Sequence, residues 1–353
     1  MSIIVSMTRP TIMDVARKCG VSKTTVSVIL NESPASSRVP KETQDRVRAA
    51  AENLGYRPNW RARALSFQRT HTIGVLYTPP MPIVVRGNYE GIMVGINEVL
   101  SQRGYHMLFV PLGENTDEWG RLLLDQRMDG CLVLSRLREP LGEIIKAGRL
   151  RAALVNADSD QNLPIVIADD YDGTMQMMEH LLSLGHKRIT FLVGKQPPHY
   201  SLTQRRDAYK ASMRDAGLEA HVNIVESDLD DFVAGLRSSI ASNDVKKRPT
   251  AVLVYTHYLA IKLLQKCWEA GMRVPQDLSV ATYSNAFPVE DVIPPLTTMA
   301  LPTEQMGREA AEMVIEQVET DGAAQPRRAV LKETLIKRQS TAAPPQQSAV
   351  NGR

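Results

Sequence analysis

The 353-residue chain has only three cysteines, Cys19, Cys131 and Cys267, widely spaced and without a CxxC pair. That excludes a disulfide framework or a zinc site as the organising principle. No run of about 18 or more apolar residues occurs, so no transmembrane helix and no membrane partner is expected. The opening MSIIVSMTRP has too short an apolar stretch for the h-region of a signal peptide, which makes the cytosol the expected compartment. No GxGxxG or GxxxxGKS/T follows a strand-like run, against a dinucleotide or P-loop site. HExxH and GxSxG are missing too, and no paired acid and base stands out. An enzyme, a cofactor and a metal are therefore all unexpected.

What is present is an uneven charge. The formal net charge of +3 conceals a head, residues 1–70, with twelve Lys/Arg against five Asp/Glu, and a remainder with thirty against thirty-four. A small basic head on a mildly acidic body implies a polyanionic partner for the head alone.

The head carries three helix signatures and no strand. In TIMDVARKCG, Thr11 and Asp14 form a capping-box start, Ile12, Val15, Ala16 and Cys19 share a face, and Gly20 ends the helix. Ser22 is the expected N-cap of KTTVSVIL, with Val26, Ile29 and Leu30 inward. PKETQDRVRAAAENLG begins at Pro40 and ends at Gly55. A helix, a glycine turn and a second short helix describe a helix-turn-helix. Its second helix would present Lys23, Thr24, Thr25, Ser27 and Val28, residue types that reach phosphates, base edges and thymine methyls.

From residue 72 the pattern changes. TIGVLYT, HMLFVPL, GCLVLS, AALVNA, IVIADD, RITFLVG, HVNIVES, AVLVYT and LSVATYS alternate with helical stretches, the mark of parallel sheets with right-handed crossovers. So many strands overfill one sheet, and two lobes with a cleft between them are expected. Between head and body lies YRPNWRARALSF, residues 56–67. Isolated helices shorter than about 12 residues are marginal in water, so this cationic segment folds only with outside help.

TIMDVARKCGVSKTTVSVILN followed by LGYRPNWRARAL resembles the N-terminal signature of the LacI/GalR family of bacterial transcription regulators. HLLSLGHKRITFLVG, AGMRVPQDLSVATYS and IPPLTTM extend the resemblance over nearly the whole chain. It implies an α/β protein: a three-helix helix-turn-helix head (9–57), a hinge helix and linker (58–71), a two-lobed periplasmic-binding-protein-like body (72–340), with 341–353 left as a disordered tail. It also implies a homodimer on a pseudo-palindromic double-stranded DNA operator, most simply a repressor, controlled by a small-molecule effector between the lobes.

Residue by residue, the resemblance assigns DNA contact to Ser22, Lys23, Thr24, Thr25, Ser27, Val28, Asn31 and Arg38. In the hinge it adds Arg61, Ala62, Arg63 and Leu65, the last an apolar wedge in the minor groove. Tyr89, Asn156, Arg205, His257 and Ser284 are placed in the effector cleft. The chain departs from the family there. Thr256 and His257 stand where an Asn-Asp pair is usual, Ser284 and Asn285 where acids follow an aromatic, Asn156 where Asp is frequent, and Leu301 where Gln often lies. With fewer acids, Arg205 and a cationic His257, the cleft is expected to favour an anion, such as a phosphorylated sugar or organic acid. A regulator without effector and an exported solute receptor are the alternatives. Ile83, Val84 and Val85 are the proposed dimer patch.

Overall fold

The computed structural model describes residues 10–345 except 32–33, 58–68, 79–87, 135–136, 138, 148–149, 196–198 and 242–247. The chain divides into two units, Met1–His71 and Thr72–Arg353.

In the first unit local signals are obeyed closely. Helix α1 (Ile12–Cys19) has the Thr11/Asp14 capping box and ends at Gly20 in the left-handed region, φ 64°. Helix α2 (Lys23–Leu30) is capped by Ser22, whose Oγ accepts the Thr25 N–H at 3.0 Å. NESPASSRVP, read as loop, contains a 3-10 turn at Pro34–Arg38. Gln44 of α3 (Lys41–Asn53) secures that turn, donating to the Ser36 and Val39 carbonyls at 2.9 Å each. Val15, Val26, Ile29 and Val47 are fully buried at the centre. Each such side chain contributes about 1.5–3 kcal/mol. Truncating one would remove a large share of the ~5–15 kcal/mol that holds an ordinary domain together.

The second unit contains two six-stranded sheets. Lobe 1 has the order β11-β5-β4-β3-β1-β2 and lobe 2 the order β12-β10-β9-β8-β6-β7. Lobe 1 strands are β1 (Thr72–Tyr77), β2 (His106–Pro111), β3 (Gly130–Val133), β4 (Arg151–Val155), β5 (Ile165–Ala168) and β11 (Arg328–Leu331). Lobe 2 has β6 (Ile189–Leu192), β7 (Asn223–Val225), β8 (Ala251–Val254), β9 (Ser279–Tyr283), β10 (Thr297–Ala300) and β12 (Thr334–Ile336). Neighbours pair in parallel, except β12, which runs antiparallel to β10.

Helices α4 (Asn88–Gln102) and α11 (Thr303–Glu319) cover one face of the first sheet, and α5 (Thr116–Leu124) and α6 (Leu141–Lys146) the other. Lobe 2 repeats the plan with α7 (Asp170–Ser183) and α8 (Tyr200–Asp215) on one face, and α9 (Leu229–Ala241) and α10 (His257–Glu269) on the other. Burial on both faces is why the inner strands read as unbroken apolar runs. Glycines bring α4 and α11 into backbone contact. A Cβ on Gly95 would sit 2.0 Å from the Glu304 carbonyl oxygen, and one on Gly307 2.1 Å from that of Ile92.

The chain passes between lobes three times: from β5 to α7, from β10 to α11, and from β11 to β12. The expected disordered tail needs correcting at its start. Ala342 N–H donates to Ser279 Oγ at 3.0 Å, its carbonyl lies 2.8 Å from His186 Nε2, and Thr341 Oγ1 lies 3.0 Å from His180 Nε2. Backbone polar groups with such partners are anchored to lobe 2 whatever their sequence composition.

Candidate DNA-reading and effector sites

On α2, Lys23 and Thr24 are exposed, whereas Thr25, Ser27 and Val28 are half-buried. The Ser22 and Thr25 hydroxyls lie 2.8 Å apart, so both are partly engaged in holding the helix start. Asn31, just past the helix, donates to Ser27 Oγ at 3.1 Å, and its Oδ1 has no hydrogen-bond partner among the described residues. Arg38 is exposed at the end of the 3-10 turn, and Arg17 and Lys18 are exposed in the last turn of α1. Hydrogen bonds from the Thr11 side chain and backbone hold the Asp14 carboxyl below its ordinary range, which keeps the capping box charged. Arg61, Ala62, Arg63 and Leu65 lie outside the described residues, as do Ile83, Val84 and Val85.

In the body, ligand sites of parallel sheets form at the carboxyl ends of the strands. Two residues there have left-handed backbone: Asn156 after β4, φ 53°, and Ser284 after β9, φ 78°. Both reach across to the opposite lobe. Asn156 Oδ1 accepts from the Tyr200 hydroxyl at 3.2 Å, and its carbonyl lies 3.0 Å from His199 Nε2. The Ser284 hydroxyl donates to Asn88 Oδ1. Tyr89 remains within lobe 1, its hydroxyl donating to the Leu134 carbonyl at 3.3 Å.

Arg205 is only 5 % exposed. Its Nε donates to Asp170 Oδ1 at 2.8 Å, and Nη2 lies 2.6 Å from the same oxygen. Nη1 donates to the Tyr255 carbonyl at 3.2 Å. The guanidinium lies 3.8 Å from the centre of the Tyr283 ring, and Glu333 Oε1 is 3.7 Å from Nη2. Asp170 and Glu333 are themselves 1 % and 4 % exposed. Burial, opposed by Arg205 and reinforced by Asp170, pushes the Glu333 carboxyl up to about 8. The two acids come from the first and third inter-lobe crossings. Gly173 makes room for Glu333, because a Cβ there would lie 2.3 Å from Glu333 Oε2.

Residues 11–59 match the family model of bacterial regulatory proteins, lacI family, and residues 178–341 that of the periplasmic binding protein-like domain. The chain is 30% identical over 315 residues to the HTH-type transcriptional repressor PurR of Vibrio atlanticus, covering 87% of this chain and 92% of that one. The chain belongs to the lacI family of bacterial regulatory proteins. It is a helix-turn-helix transcriptional regulator. Another relative of this regulator, the HTH-type transcriptional regulator CelR of Thermobifida fusca, is 29% identical over 342 residues, 94% of this chain and 98% of that one. Among solved structures, a complex of transcriptional regulator CelR with cellobiose matches with TM-score 0.66 at 28% identity, covering 94% of this chain and all of that one. A lac repressor dimer bound to operator and an anti-inducer has the same fold, with TM-score 0.76 at 24% identity over 95% of this chain and all of that one.

One expectation about the regulator's cleft is overturned. Burial lowers His257 to about 4, so it is neutral, not cationic, at ordinary pH, and its Nε2 has no hydrogen-bond partner among the described residues. Burial likewise lowers His199. The charge of Arg205 is met by Asp170 and backed by Glu333. The positive charge that favoured an anion is therefore already neutralised. The residues that sequence reasoning missed are Asp170, His199, Tyr200 and Glu333. The doubled acid of IADDYDG at a strand-to-helix junction was the available signal for Asp170; Glu333 had none.

Proposed function

We propose that this lacI-family regulator binds a pseudo-palindromic operator as a homodimer in the cytosol, acts by binding without catalysis, and represses. Exposed Lys23 and Thr24 on a capped helix, within a head of strong positive charge, support the DNA part. We further propose that a neutral, hydroxyl-rich small molecule between the lobes sets operator affinity. The observation that carries this is the charge balance around Arg205: among the described residues a matched guanidinium with tyrosines, asparagine and the neutral His257 offers hydrogen bonds but no free cation. The solved CelR complex with cellobiose is consistent with that class.

Selection of bound duplexes from a random pool would identify the operator. Calorimetry with a neutral disaccharide panel, sugar phosphates and dicarboxylates would then test the ligand class. Saturable binding of a neutral member that changes operator affinity is expected. Tight binding of a phosphate or dicarboxylate alone would refute it, and a panel with no effect on DNA binding would favour the effector-free alternative.

A further inference from the structure

The two lobes share one strand order, so each position in lobe 1 has a counterpart in lobe 2: β1 matches β6, and β4 matches β9. On this correspondence the cross-lobe contacts are reciprocal. Asn156 follows the fourth strand of lobe 1 and meets His199 and Tyr200, at the start of α8, the helix that follows the first strand of lobe 2. Ser284 follows the fourth strand of lobe 2 and meets Asn88, which opens the first helix of lobe 1.

Both strand-end residues adopt the left-handed backbone that non-glycine residues rarely occupy. Each is fixed from beneath by its own sheet. Asn156 N–H donates to the Val166 carbonyl at 2.9 Å. Ser284 N–H donates to the Met299 carbonyl at 2.7 Å, and Thr298 Oγ1 donates to the Ser284 carbonyl at 2.8 Å. The sheet therefore supplies rigidity, while the unusual φ turns each residue toward the partner lobe.

Chemistry on the His199 side fixes the direction of the contact. Nε2 faces a carbonyl, so it must carry the hydrogen, and Nδ1 then accepts from Ser201, whose Oγ is 2.7 Å away. Ser201 Oγ in turn lies 3.0 Å from the Tyr255 hydroxyl, and the Tyr255 ring centre is 5.4 Å from the Arg205 guanidinium. One contact is thus wired to the buried charges at the crossings, and the other to α4, which is held by glycine contact against α11.

We propose that these two reciprocal contacts act as clasps that hold the two lobes together, and that Asn88, Asn156, His199, Tyr200 and Ser284 are positioning residues for lobe closure. The proposal does not depend on the class of effector. A molecule entering the cleft would have to replace these partners, so ligand recognition and lobe angle are set by the same five side chains.

The test uses the full chain, free of DNA and ligand, with spin labels on cysteines introduced at exposed Glu118 in lobe 1 and exposed Lys210 in lobe 2. All three native thiols, Cys19, Cys131 and Cys267, are buried, and burial holds those of Cys131 and Cys267 in the unreactive protonated form. Asn156→Gly and Ser284→Gly remove the clasp side chains while keeping a backbone that glycine adopts freely. Tyr200→Phe deletes one hydroxyl with no backbone change, so the test survives if a glycine variant misfolds. Each lost hydrogen bond should raise the ratio of open to closed molecules by roughly 2- to 10-fold. A wider distance population that grows in Tyr200→Phe and Ser284→Gly, and grows further when they are combined, is the expected result. Distance distributions of the combined variant that superimpose on the parent's would overturn the proposal.

Discussion

Arg205→Ala distinguishes a side chain that waits for a ligand from one that holds the body together. If the guanidinium stood open in a cleft, removing it would cost little, because substitutions away from buried networks usually fall within about 0.5 kcal/mol. Here the arginine is 5 % exposed and its departure strands the Asp170 carboxylate, 1 % exposed, beside a Glu333 that already holds its proton at neutral pH. Breaking a buried ion pair from one side costs about 3–5 kcal/mol. Loss of the desolvated cation over Tyr283 adds on the order of 1–2 kcal/mol. For a body of this size about 1 kcal/mol corresponds to roughly 2–4 °C, so thermal denaturation should shift down by about 8–28 °C. A calorimetric scan in which Arg205→Ala melts within about 2 °C of the parent would refute the reasoning, and would return Arg205 to the role of a free ligand contact.

Other outcomes follow from the same geometry. Glu333 holds its proton up to about 8 in the folded chain, against an ordinary 4.5. The folded state therefore binds more protons between those values, and stability should fall as pH rises through that window, by up to about 1.4 kcal/mol per pH unit. Chemical denaturation at several pH values should show this slope flattened in Glu333→Gln. In the head, Lys23→Ala should change which operator sequence is preferred, whereas Arg17→Ala should weaken all duplexes alike and reduce the salt dependence by about one phosphate's worth; binding assays across salt and sequence would separate them. Leu65→Ala should weaken operator binding and reduce DNA bending, with gel mobility on circularly permuted fragments as the readout; unchanged bending would remove the wedge role.

The head was legible because its determinants are local. Thr11 with Asp14, Ser22 with Thr25, and Gly20 act within one helical turn, so the residue types name the structure before any packing is known. The body's inner strands were equally readable, since burial on both faces leaves an apolar run with no polar interruption. Strands β10, β11 and β12 were not read as strands. They span only four, four and three residues, and β11 and β12 are partly exposed, so they carry no periodicity long enough to detect. Yet these are the strands that flank the second and third inter-lobe crossings.

The sequence by itself determined a basic helix-turn-helix head, an α/β body and the family to which both belong. It also offered candidates for the cleft, Arg205 and His257 among them, but not their state. Arg205 reads as an available cation because its partners are remote: Asp170 lies 35 residues away, and Glu333 arrives only after the chain has changed lobes for the third time. His257 reads as a possible cation because burial is not written in residue type. Charge in a folded protein depends on solvation and on neighbours within a few ångströms, and both are properties of three-dimensional arrangement. That is why the tertiary structure alone decided that Arg205 is matched by Asp170, and that Asn156 and Ser284 face partners in the opposite lobe.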